Sequence, residues 1–335
     1  MFLVLVVFHG RTAVAGMAVL VGIDEAGFGP LLGPLVVSSS AFSLPDNLLV
    51  SDLWRILTKS VANRRKYLAG RLLITDSKKA YSKSLGIKHL ERTVLTILRC
   101  HDKKPATLSE LVETLCPDCL ERLSDYPWYK DTRNYLLSSD TADRTIAAAV
   151  LVDDLASNDI ELKALKSCCL DVAYYNKMVE AVKNKASVLF TATSQLIQAA
   201  YNNFPDENLH IVIDRQGGRM HYRQNLQRMF PDMNLSIVLE SPTVSSYELQ
   251  TEGGGMRVHF VVSADQQYLP VSLASMVSKY LREVLIGCMN RYFTGFNPNI
   301  KPTAGYWEDG LRFIEDLKTN LPHIRFSQNQ LIRCR

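Results

Sequence analysis

The sequence predicts an α/β protein, because short apolar runs typical of strands alternate with helical patterns. Residues 19–23 form an apolar, β-branched run typical of a buried strand, and residues 35–42 form a second one after a Gly-Pro turn. Helical periodicity is present at residues 83–98 and again at 270–293, where small side chains near the start suit close packing on a sheet. This order of elements indicates a sheet that is covered by helices.

The same periodicities predict the remaining elements. Further strands are expected at residues 72–75, 209–214, 235–239 and 258–262, and further helices at 52–67, 108–123, 141–155 and 169–200. The segment 241–255 is expected to be an extra loop or hairpin. No internal repeat or low-complexity linker divides the chain.

Length and composition bound the classes of protein that this chain can be. With 335 residues, 47% of them hydrophobic, it can bury a full core as one large domain or two modest ones. A net charge of +4 is compatible with a polyanionic partner but decides nothing alone. Residues 1–16 begin with an apolar run too short to span a bilayer, so we expect an upstream start or a disordered extension there. No other segment reaches membrane-spanning length.

The seven cysteines do not indicate a disulfide scaffold in a chain of this length, and their odd number leaves at least one unpaired. A reducing, cytoplasmic location is the simpler interpretation. Cys116 and Cys119 have zinc-ligand spacing, and Cys168 and Cys169 would bring the thiolates to four. Adjacent cysteines are not a second Cys-x-x-Cys pair, however, so we favour buried free thiols.

Four acidic residues follow predicted strands at the point where each strand ends. Asp24 and Glu25 end the first apolar run, and Asp214 and Asp265 end or follow two later ones. An acid at a strand end is often only a solvated turn residue. Four acids at one sheet edge would repel strongly unless divalent cations neutralise them, and hard oxygen ligands favour Mg²⁺ or Mn²⁺. Two such ions can activate a water and stabilise the leaving oxygen of a phosphodiester.

Glycines follow the first acidic pair at short intervals. Gly27, Gly29 and Gly33 allow the backbone to approach a ligand closely or to take up positive φ. Exposed amides in this turn would suit a phosphate or a sugar hydroxyl. Two lysines, Lys78 and Lys79, follow the predicted N-cap Asp76 and are placed to contact backbone phosphates.

These motifs together resemble the type 2 ribonuclease H family (ribonuclease HII). The matching strings are GIDEAGFGPLLGPLVV at 22–37, DSKK at 76–79, LASMVSKYLRE at 273–283 and the Gly-Tyr pair at 305–306. They occur in the family's order. The clearest departure is Phe28, which stands where the family has arginine.

The resemblance implies a fold and a division of the chain. It implies a ribonuclease H-like fold, with a mixed five-stranded sheet flanked by helices and a C-terminal helical part. Residues 17–295 would form the catalytic domain, with a helical insertion at about 100–165, and residues 296–335 would form a C-terminal helical extension.

The resemblance also implies an activity and the residues that perform it. The implied activity is metal-dependent endonucleolytic cleavage of RNA in RNA:DNA hybrids, or at ribonucleotides embedded in duplex DNA, by a monomer with no membrane partner. Asp24, Glu25, Asp214 and Asp265 would be both the catalytic residues and the ligands of Mg²⁺ or Mn²⁺. The implied substrate-binding residues are Gly27, Phe28, Gly29, Lys78, Lys79 and Tyr306.

Three alternatives remain open from sequence. A non-catalytic nucleic-acid-binding relative would keep the sheet and the basic turns without needing all four acids. A metal-dependent phosphohydrolase of small phosphoesters would share the carboxylates without needing the lysines or Tyr306. Phe28 has a second interpretation as well, as an apolar plug beneath the glycine turn.

Overall fold

A seven-stranded mixed sheet forms the centre of the computed structural model, which describes residues 16–81, 86–138, 141–205 and 207–334. Its strands are β1 (Met17–Ala26), β2 (Leu35–Pro45), β5 (Glu161–Leu170), β6 (Asn208–Asp214), β7 (Asn234–Glu240), β8 (Val244–Thr251) and β9 (Gly254–Val261), and a separate pair comprises β3 (Val61–Ala62) and β4 (Leu72–Leu73). The spatial order in the large sheet is β5-β2-β1-β6-β9-β8-β7. The predicted N-terminal extension, residues 1–16, lies outside the described residues except for Gly16.

The pairing of the central strands brings three strand ends to one edge of the sheet. β1 runs antiparallel to β2 and parallel to β6, and β6 runs parallel to β9. Ile23 pairs with Ile213, and Asp214 pairs with Val261. The carboxyl ends of β1, β6 and β9 therefore point the same way, as parallel neighbours must.

Helices cover both faces of the sheet. They are α1 (Leu53–Ile56), α2 (Ser77–Ala80), α3 (Lys88–Arg99), α4 (Leu108–Leu115), α5 (Leu120–Ser124), α6 (Thr141–Ala156), α7 (Val172–Val182), α8 (Lys185–Asn203), α9 (Arg223–Met229), α10 (Leu269–Phe296), α11 (Trp307–Asn320) and α12 (Gln328–Leu331). One hydrophobic core lies on the side of α10, and a second lies on the side of α8. Among the described residues no helix has the length and apolar character to cross a membrane.

The long helix α10 packs directly on the backbone of β1. Gly22 makes this possible, because a Cβ built there would lie 2.2 Å from the backbone C of Pro270 and 2.2 Å from the N of Val271. Ser40 Oγ on β2 donates to the carbonyl of Pro270 at 2.7 Å. The small side chains expected near the start of this helix thus serve the predicted close contact with the sheet.

The predicted α/β fold is confirmed, and the sheet is larger than the five strands expected. The predicted strands at 19–23, 35–42, 209–214, 235–239 and 258–262 are β1, β2, β6, β7 and β9. The edge strand β5 was not predicted, and β8 pairs antiparallel with both β9 and β7. The segment 241–255, predicted to be a loop or hairpin, supplies β8. β8 lies between β9 and β7 and is mostly buried, but its sequence VSSYELQT has few apolar side chains and so a weak strand signal.

Four predicted elements differ from the structure. The helix expected at 108–123 is interrupted by a 3₁₀ turn at Pro117–Cys119, which separates α4 from α5. The helix expected at 52–67 is only α1, followed by β3 and a short 3₁₀ turn. The helix expected at 169–200 is split into α7 and α8, because Lys183 adopts a left-handed conformation with φ 51°. The helical excursion expected to reach residue 165 ends earlier, since β5 begins at Glu161.

The inserted region is tied to the end of β5 by a buried carboxylate. Asp171 caps α7, accepting from Tyr174 N at 3.0 Å, and also accepts from Tyr126 Oη at 2.5 Å and from Arg122 Nε at 2.7 Å. Charge-assisted bonds to a buried acid are among the stronger hydrogen bonds in proteins. This anchor joins the insertion to the sheet.

The contact at Gly22 leads to a stability prediction. Gly22→Ala should lower the free energy of unfolding by about 1–3 kcal/mol, because the new methyl group forces α10 away from β1. Denaturant unfolding followed by circular dichroism measures the change. Gly218→Ala is the matched control, since a Cβ there meets open space. Equal unfolding midpoints for the two variants would contradict the close packing described here.

Candidate active site

Asp24 occupies the last buried position of β1, where the strand leaves the core. It is 7% exposed. Its Oδ1 accepts from the backbone N of Glu25 at 2.7 Å, and Ser278 Oγ on α10 donates to its backbone carbonyl at 3.0 Å. The strand end is therefore held from the helix side, with its carboxyl group at the sheet edge.

Asp214 and Asp265 approach the same edge from the neighbouring parallel strands. Asp214 is the last residue of β6, and its Oδ1 accepts from Ala264 N at 2.7 Å. Ala264 opens a 3₁₀ turn after β9 that contains Asp265, and Ser263 before it has a left-handed φ of 52°. The hydrogen bond from Ala264 thus links the end of β6 to the turn that carries Asp265.

The four carboxyl groups perturb one another. Burial first, and then repulsion from Glu25 and Asp214, raises the pKa of Asp24 well above its ordinary value. Burial and Asp214 raise the pKa of Glu25 to about 7, and the same two causes raise the pKa of Asp265 to about 6. Burial also raises the pKa of Asp214. The site concentrates negative charge in a place where water does not fully screen it.

A fifth carboxylate, Asp76, reaches this site and was not among the predicted site residues. Its charge raises the pKa of both Asp214 and Asp265. It caps α2 by accepting from Lys78 N at 2.9 Å, as the N-cap pattern predicts. An acid before a short helix normally indicates only a helix cap, so the residue itself did not predict that Asp76 lies beside the other acids. Only its place in the ordered series of motifs pointed to the site.

The exposed lysines of α2 supply the opposing charge. Lys78 lowers the pKa of Glu25, Asp214 and Asp265, although burial and mutual repulsion outweigh it. Lys79 Nζ lies 3.9 Å from Asp76 Oδ2. Both predicted lysines therefore lie beside the acidic cluster with ammonium groups accessible to a phosphate.

The carboxylate oxygens of this cluster are ligands of the type that a hard divalent cation prefers. Buried carboxylate oxygens that repel one another are the ligands that Mg²⁺ and Mn²⁺ prefer. In residues 16–81, 86–138, 141–205 and 207–334, no group of three or more His, Cys, Asp or Glu side chains stands in a metal-holding geometry. The acids are adjacent, and their side chains are not arranged as a closed ligand shell.

The glycine turn next to Glu25 is tightly supported from below. Gly27 has φ +96°, and a Cβ there would lie 2.5 Å from the carbonyl oxygen of Pro34. The fully buried Arg282 of α10 donates to the carbonyls of Leu32 at 3.2 Å and Ala304 at 3.0 Å. At Gly29 a Cβ would meet open space. The turn thus has a fixed first glycine and an accessible second one.

Phe28 lies at the tip of this turn and is half-buried against the second core. Lys185 Nζ, at the start of α8, lies 5.2 Å from the centroid of its ring, which is a cation–π distance. Beneath the turn, Arg333 donates to the carbonyls of Gly27 and Phe28, and its guanidinium lies 3.9 Å from the ring centroid of Tyr175. Two cations not identified from sequence therefore flank the position where the resemblance expects arginine.

Tyr306 extends from the same region and is 51% exposed. It immediately precedes α11 and follows Gly305, whose carbonyl accepts from Leu31 N at 2.8 Å. The guanidinium of Arg282 lies 5.7 Å from its ring centroid, and Lys279 Nζ lies 5.9 Å from it. The structure therefore brings Tyr306 next to the glycine turn with an open ring face.

Comparison with known proteins finds similarity to a short segment of one curated protein. No family model matches the chain. The sequence is 44% identical over 57 residues to ribonuclease HII of Gluconobacter oxydans (strain 621H), a segment that is 17% of this chain and 27% of that relative.

Two solved structures are similar over most of the chain. One is the complex of PCNA with ribonuclease HII from Archaeoglobus fulgidus, with a TM-score of 0.44, 17% identity and coverage of 94% of this chain and 94% of that one. The other is Bst ribonuclease HIII in complex with Mn²⁺, with a TM-score of 0.44, 13% identity and coverage of 95% and 67%.

The strand order and the flanking helices define a mixed α/β fold with helices on both faces of the sheet. The curated match bears the name of the family that the sequence motifs resemble, and it confirms that resemblance over the matched segment. That segment spans about a quarter of the curated relative, 27% of its length.

The raised carboxyl pKa values lead to a prediction about the metal-free protein. In the unfolded chain these acids titrate near their ordinary values of about 4, so the folded state binds more protons between about pH 4 and pH 7. Their contribution therefore favours folding at low pH and is lost as pH rises through about 6 to 7. Denaturant unfolding in the presence of chelator, at roughly pH 5.5 and pH 7.5, measures this change in the free energy of unfolding.

A variant isolates the effect of the site from that of other titrating groups. Glu25→Gln should make stability fall less between the two pH values, whereas Glu113→Gln, at an exposed position on α4, should leave the difference unchanged. An identical pH dependence in Glu25→Gln and in the unaltered protein would contradict the perturbation of Glu25.

Proposed function

We propose that the protein is a metal-dependent endoribonuclease that cleaves RNA in RNA:DNA hybrids or at ribonucleotides embedded in duplex DNA. The observation that carries the proposal is the group of carboxylates from three adjacent strand ends, beside a glycine turn and two accessible lysines. A binding protein that does no chemistry gains nothing from burying several like charges together. Cleavage on the 5′ side of a ribonucleotide, leaving a 3′-hydroxyl, is the product expected from the family resemblance.

We propose that Asp24, Glu25, Asp214 and Asp265 hold Mg²⁺ or Mn²⁺. The mutual repulsion that raises their pKa values is the free energy that a divalent cation would recover, and this supports binding. A bound pair of ions would supply an activated water and neutralise the leaving oxygen. The protein's own share is to hold the carboxylates near one another before substrate arrives, through Ser278 and the backbone of Ala264.

The substrate-binding part of the proposal rests on the surface around the acids. Lys78 and Lys79 would contact phosphates as point charges. The backbone of Gly27, Phe28 and Gly29 would face the ribose 2′-hydroxyl, the group that distinguishes RNA from DNA. The exposed ring of Tyr306 would stack on the sugar next to the junction, and its position beside the turn supports this role.

The division of the chain and its setting are also proposals. We assign the catalytic domain to residues 17–295, the helical insertion to about 100–165 within it, and the C-terminal helical extension to 296–335. The extension packs on the site, since Arg333 N donates to the carbonyl of Leu31 at 2.9 Å. We propose that the protein acts in the cytoplasm as a monomer, a location that suits its seven free cysteines.

The central test compares substrates and acid variants. With Mg²⁺ or Mn²⁺ the protein should cleave a labelled RNA:DNA hybrid, spare duplex DNA of the same sequence and lose the activity in chelator. Asp24→Asn and Asp265→Asn should each lower the cleavage rate by at least about a hundredfold, because each removes a charge from the metal-binding set. Asp232→Asn, at an exposed position, is the matched control.

Each other outcome favours a named alternative. Tight hybrid binding without cleavage would favour a non-catalytic nucleic-acid-binding relative, and turnover of a small phosphoester alone would favour a phosphohydrolase. Full activity in a folded Asp24→Asn protein, with circular dichroism unchanged, would overturn the assignment of the acids.

The exchange of arginine for Phe28 predicts a change in substrate choice. Phe28→Arg should raise cleavage at an isolated ribonucleotide in duplex DNA more than cleavage of an all-RNA strand paired with DNA, because a charge-assisted bond to phosphate contributes about 1.5–3 kcal/mol. Measuring both substrates before and after the change decides it. Equal effects on both, or none on either, would mean that Phe28 only packs against the core.

Lys185 provides the control for that experiment. It is exposed and lies over the Phe28 ring, so it is already a cation at the turn. Lys185→Gln should weaken cleavage at the isolated ribonucleotide in the unaltered protein and have a smaller effect in the Phe28→Arg background. Additive effects of the two changes would show that they act independently.

A further inference from the structure

Three cysteine thiols meet where the inserted region packs against β5. Cys116 and Cys119 flank the 3₁₀ turn between α4 and α5, and their Sγ atoms are 3.5 Å apart. Cys169, near the end of β5, hydrogen-bonds to both of them. All three are almost fully buried, at 3%, 1% and 2% exposure. This trio lies apart from the acidic site and plays no part in the proposed cleavage.

The neighbouring cysteine, Cys168, does not join the trio. Successive side chains of a strand point to opposite faces, so only one of Cys168 and Cys169 can face the pair on the insertion. Cys168 Sγ instead lies 3.1 Å from Gln195 Oε1 on α8. The cluster therefore has three sulfurs rather than the four of a closed zinc site.

The Cys119 sulfur is set up as the nucleophile of the trio. Hydrogen bonds from the thiols of Cys116 and Cys169, and the nearby charge of Arg122, lower its pKa to about 5. The pKa values of Cys116 and Cys169 are raised, so these two keep their protons. A cysteine of lowered pKa in contact with a second thiol is the arrangement that reacts with an oxidant and is then resolved by its neighbour.

A cavity of about 330 Å³ opens beside the trio. Arg122 and Tyr174 line it together with the cysteines, and the exposed Asp118 and Lys166 stand among its lining residues. A bulky disulfide has no path to thiols that are this deeply buried. A small, uncharged oxidant such as a peroxide fits the cavity.

We propose that Cys116 and Cys119 form a peroxide-oxidisable dithiol, with Cys119 as the attacking sulfur and Cys116 as the resolving one. The Cys119 thiolate attacks one peroxide oxygen, the O–O bond breaks and hydroxide leaves, giving a sulfenic acid. The Cys116 sulfur then displaces the hydroxyl group from Cys119, and its proton leaves with that oxygen as water. The hydroxide takes up the proton that Cys119 released when it became a thiolate, so overall two thiols lose two electrons and two hydrogens, and hydrogen peroxide is reduced to two waters.

The geometry suits this bond in particular. The two sulfurs already touch, and a disulfide requires an S–S length of about 2.05 Å between residues whose backbones are close, as they are across a three-residue turn. Cys169 remains as the hydrogen-bonding partner and stays reduced. Oxidation would therefore alter the contact between the insertion and β5 without involving the acidic site.

The test uses the full-length, reduced protein with hydrogen peroxide at neutral pH, followed by alkylation in denaturant, digestion and mass spectrometry. The peptide that contains both cysteines should carry no alkyl groups and weigh two hydrogens less than its reduced form. Cys288 is the control, because it is also buried, at 6% exposure, and burial raises its pKa to about 12. Cys119 should lose its free thiol at least about tenfold faster than Cys288.

Variants assign the two roles. In Cys116→Ser, Cys119 should accumulate as a sulfenic acid that a 1,3-dione probe traps, and in Cys119→Ser, Cys116 should remain alkylatable. Equal oxidation rates at Cys119 and Cys288, or a disulfide from Cys119 to Cys169, would overturn the proposal. So would one equivalent of zinc in the purified protein that protects these thiols from peroxide. If a serine variant does not fold, the unaltered protein still shows whether Cys119 is oxidised faster than Cys288 and which disulfide it forms.

Discussion

The direct contact between the backbone of α10 and that of β1 is the constraint on which the site depends. Because Gly22 has no side chain, the helix lies close enough for Ser278 to reach the carbonyl of Asp24. Further along the same helix, Arg282 reaches beneath the glycine turn, and Lys279 lies near Tyr306. One helix therefore sets the positions of an acid, the turn and an aromatic ring, and a shift of α10 would displace all three.

The second governing feature is unbalanced charge. Five carboxylates lie together at one edge of the sheet. The nearest lysines are exposed and only partly offset the negative charge of these acids. Burying like charges together lowers the stability of a protein, so a cluster of this kind indicates a function that requires it. Here the unbalanced charge is confined to the ends of parallel strands, where the sheet itself fixes the spacing.

Much of the fold was predictable because its signals are local. β1, β2, β6 and β9 are apolar runs that end at turns or acids, and pairing of their ends follows from parallel geometry. The edge strand β5 was missed because ELKALKSCCL is exposed at several positions and lacks a clean alternation. The break between α7 and α8 has no glycine or proline to mark it, and its local signal is Asn184, whose side chain caps α8 by accepting from Ala186 N and Ser187 N.

The candidate site was predictable to the extent that its residues lie in ordered motifs. The four acids and the glycine turn stand in short strings whose order carries information. Asp76 was visible only as a helix cap, and Lys185 and Arg333 reach the turn from far away in sequence. The trio of thiols joins a Cys-x-x-Cys pair to Cys169, a strand residue 50 positions after Cys119. Only the folded chain brings these residues together, so the sequence could not predict the contact.

The support of the glycine turn by Arg333 affects the timing of assembly. The turn at residue 27 lies in the hairpin of β1 and β2, yet the guanidinium that holds its carbonyls is 306 residues further on. Asn176 binds the same terminal segment, through the carbonyl of Ile332 at 2.8 Å and Cys334 N at 2.8 Å. Contacts of such long sequence separation form late because loop closure must precede them. The nascent chain can therefore pair β1 with β2 early, while the turn gains its final support only after residue 333 has been made.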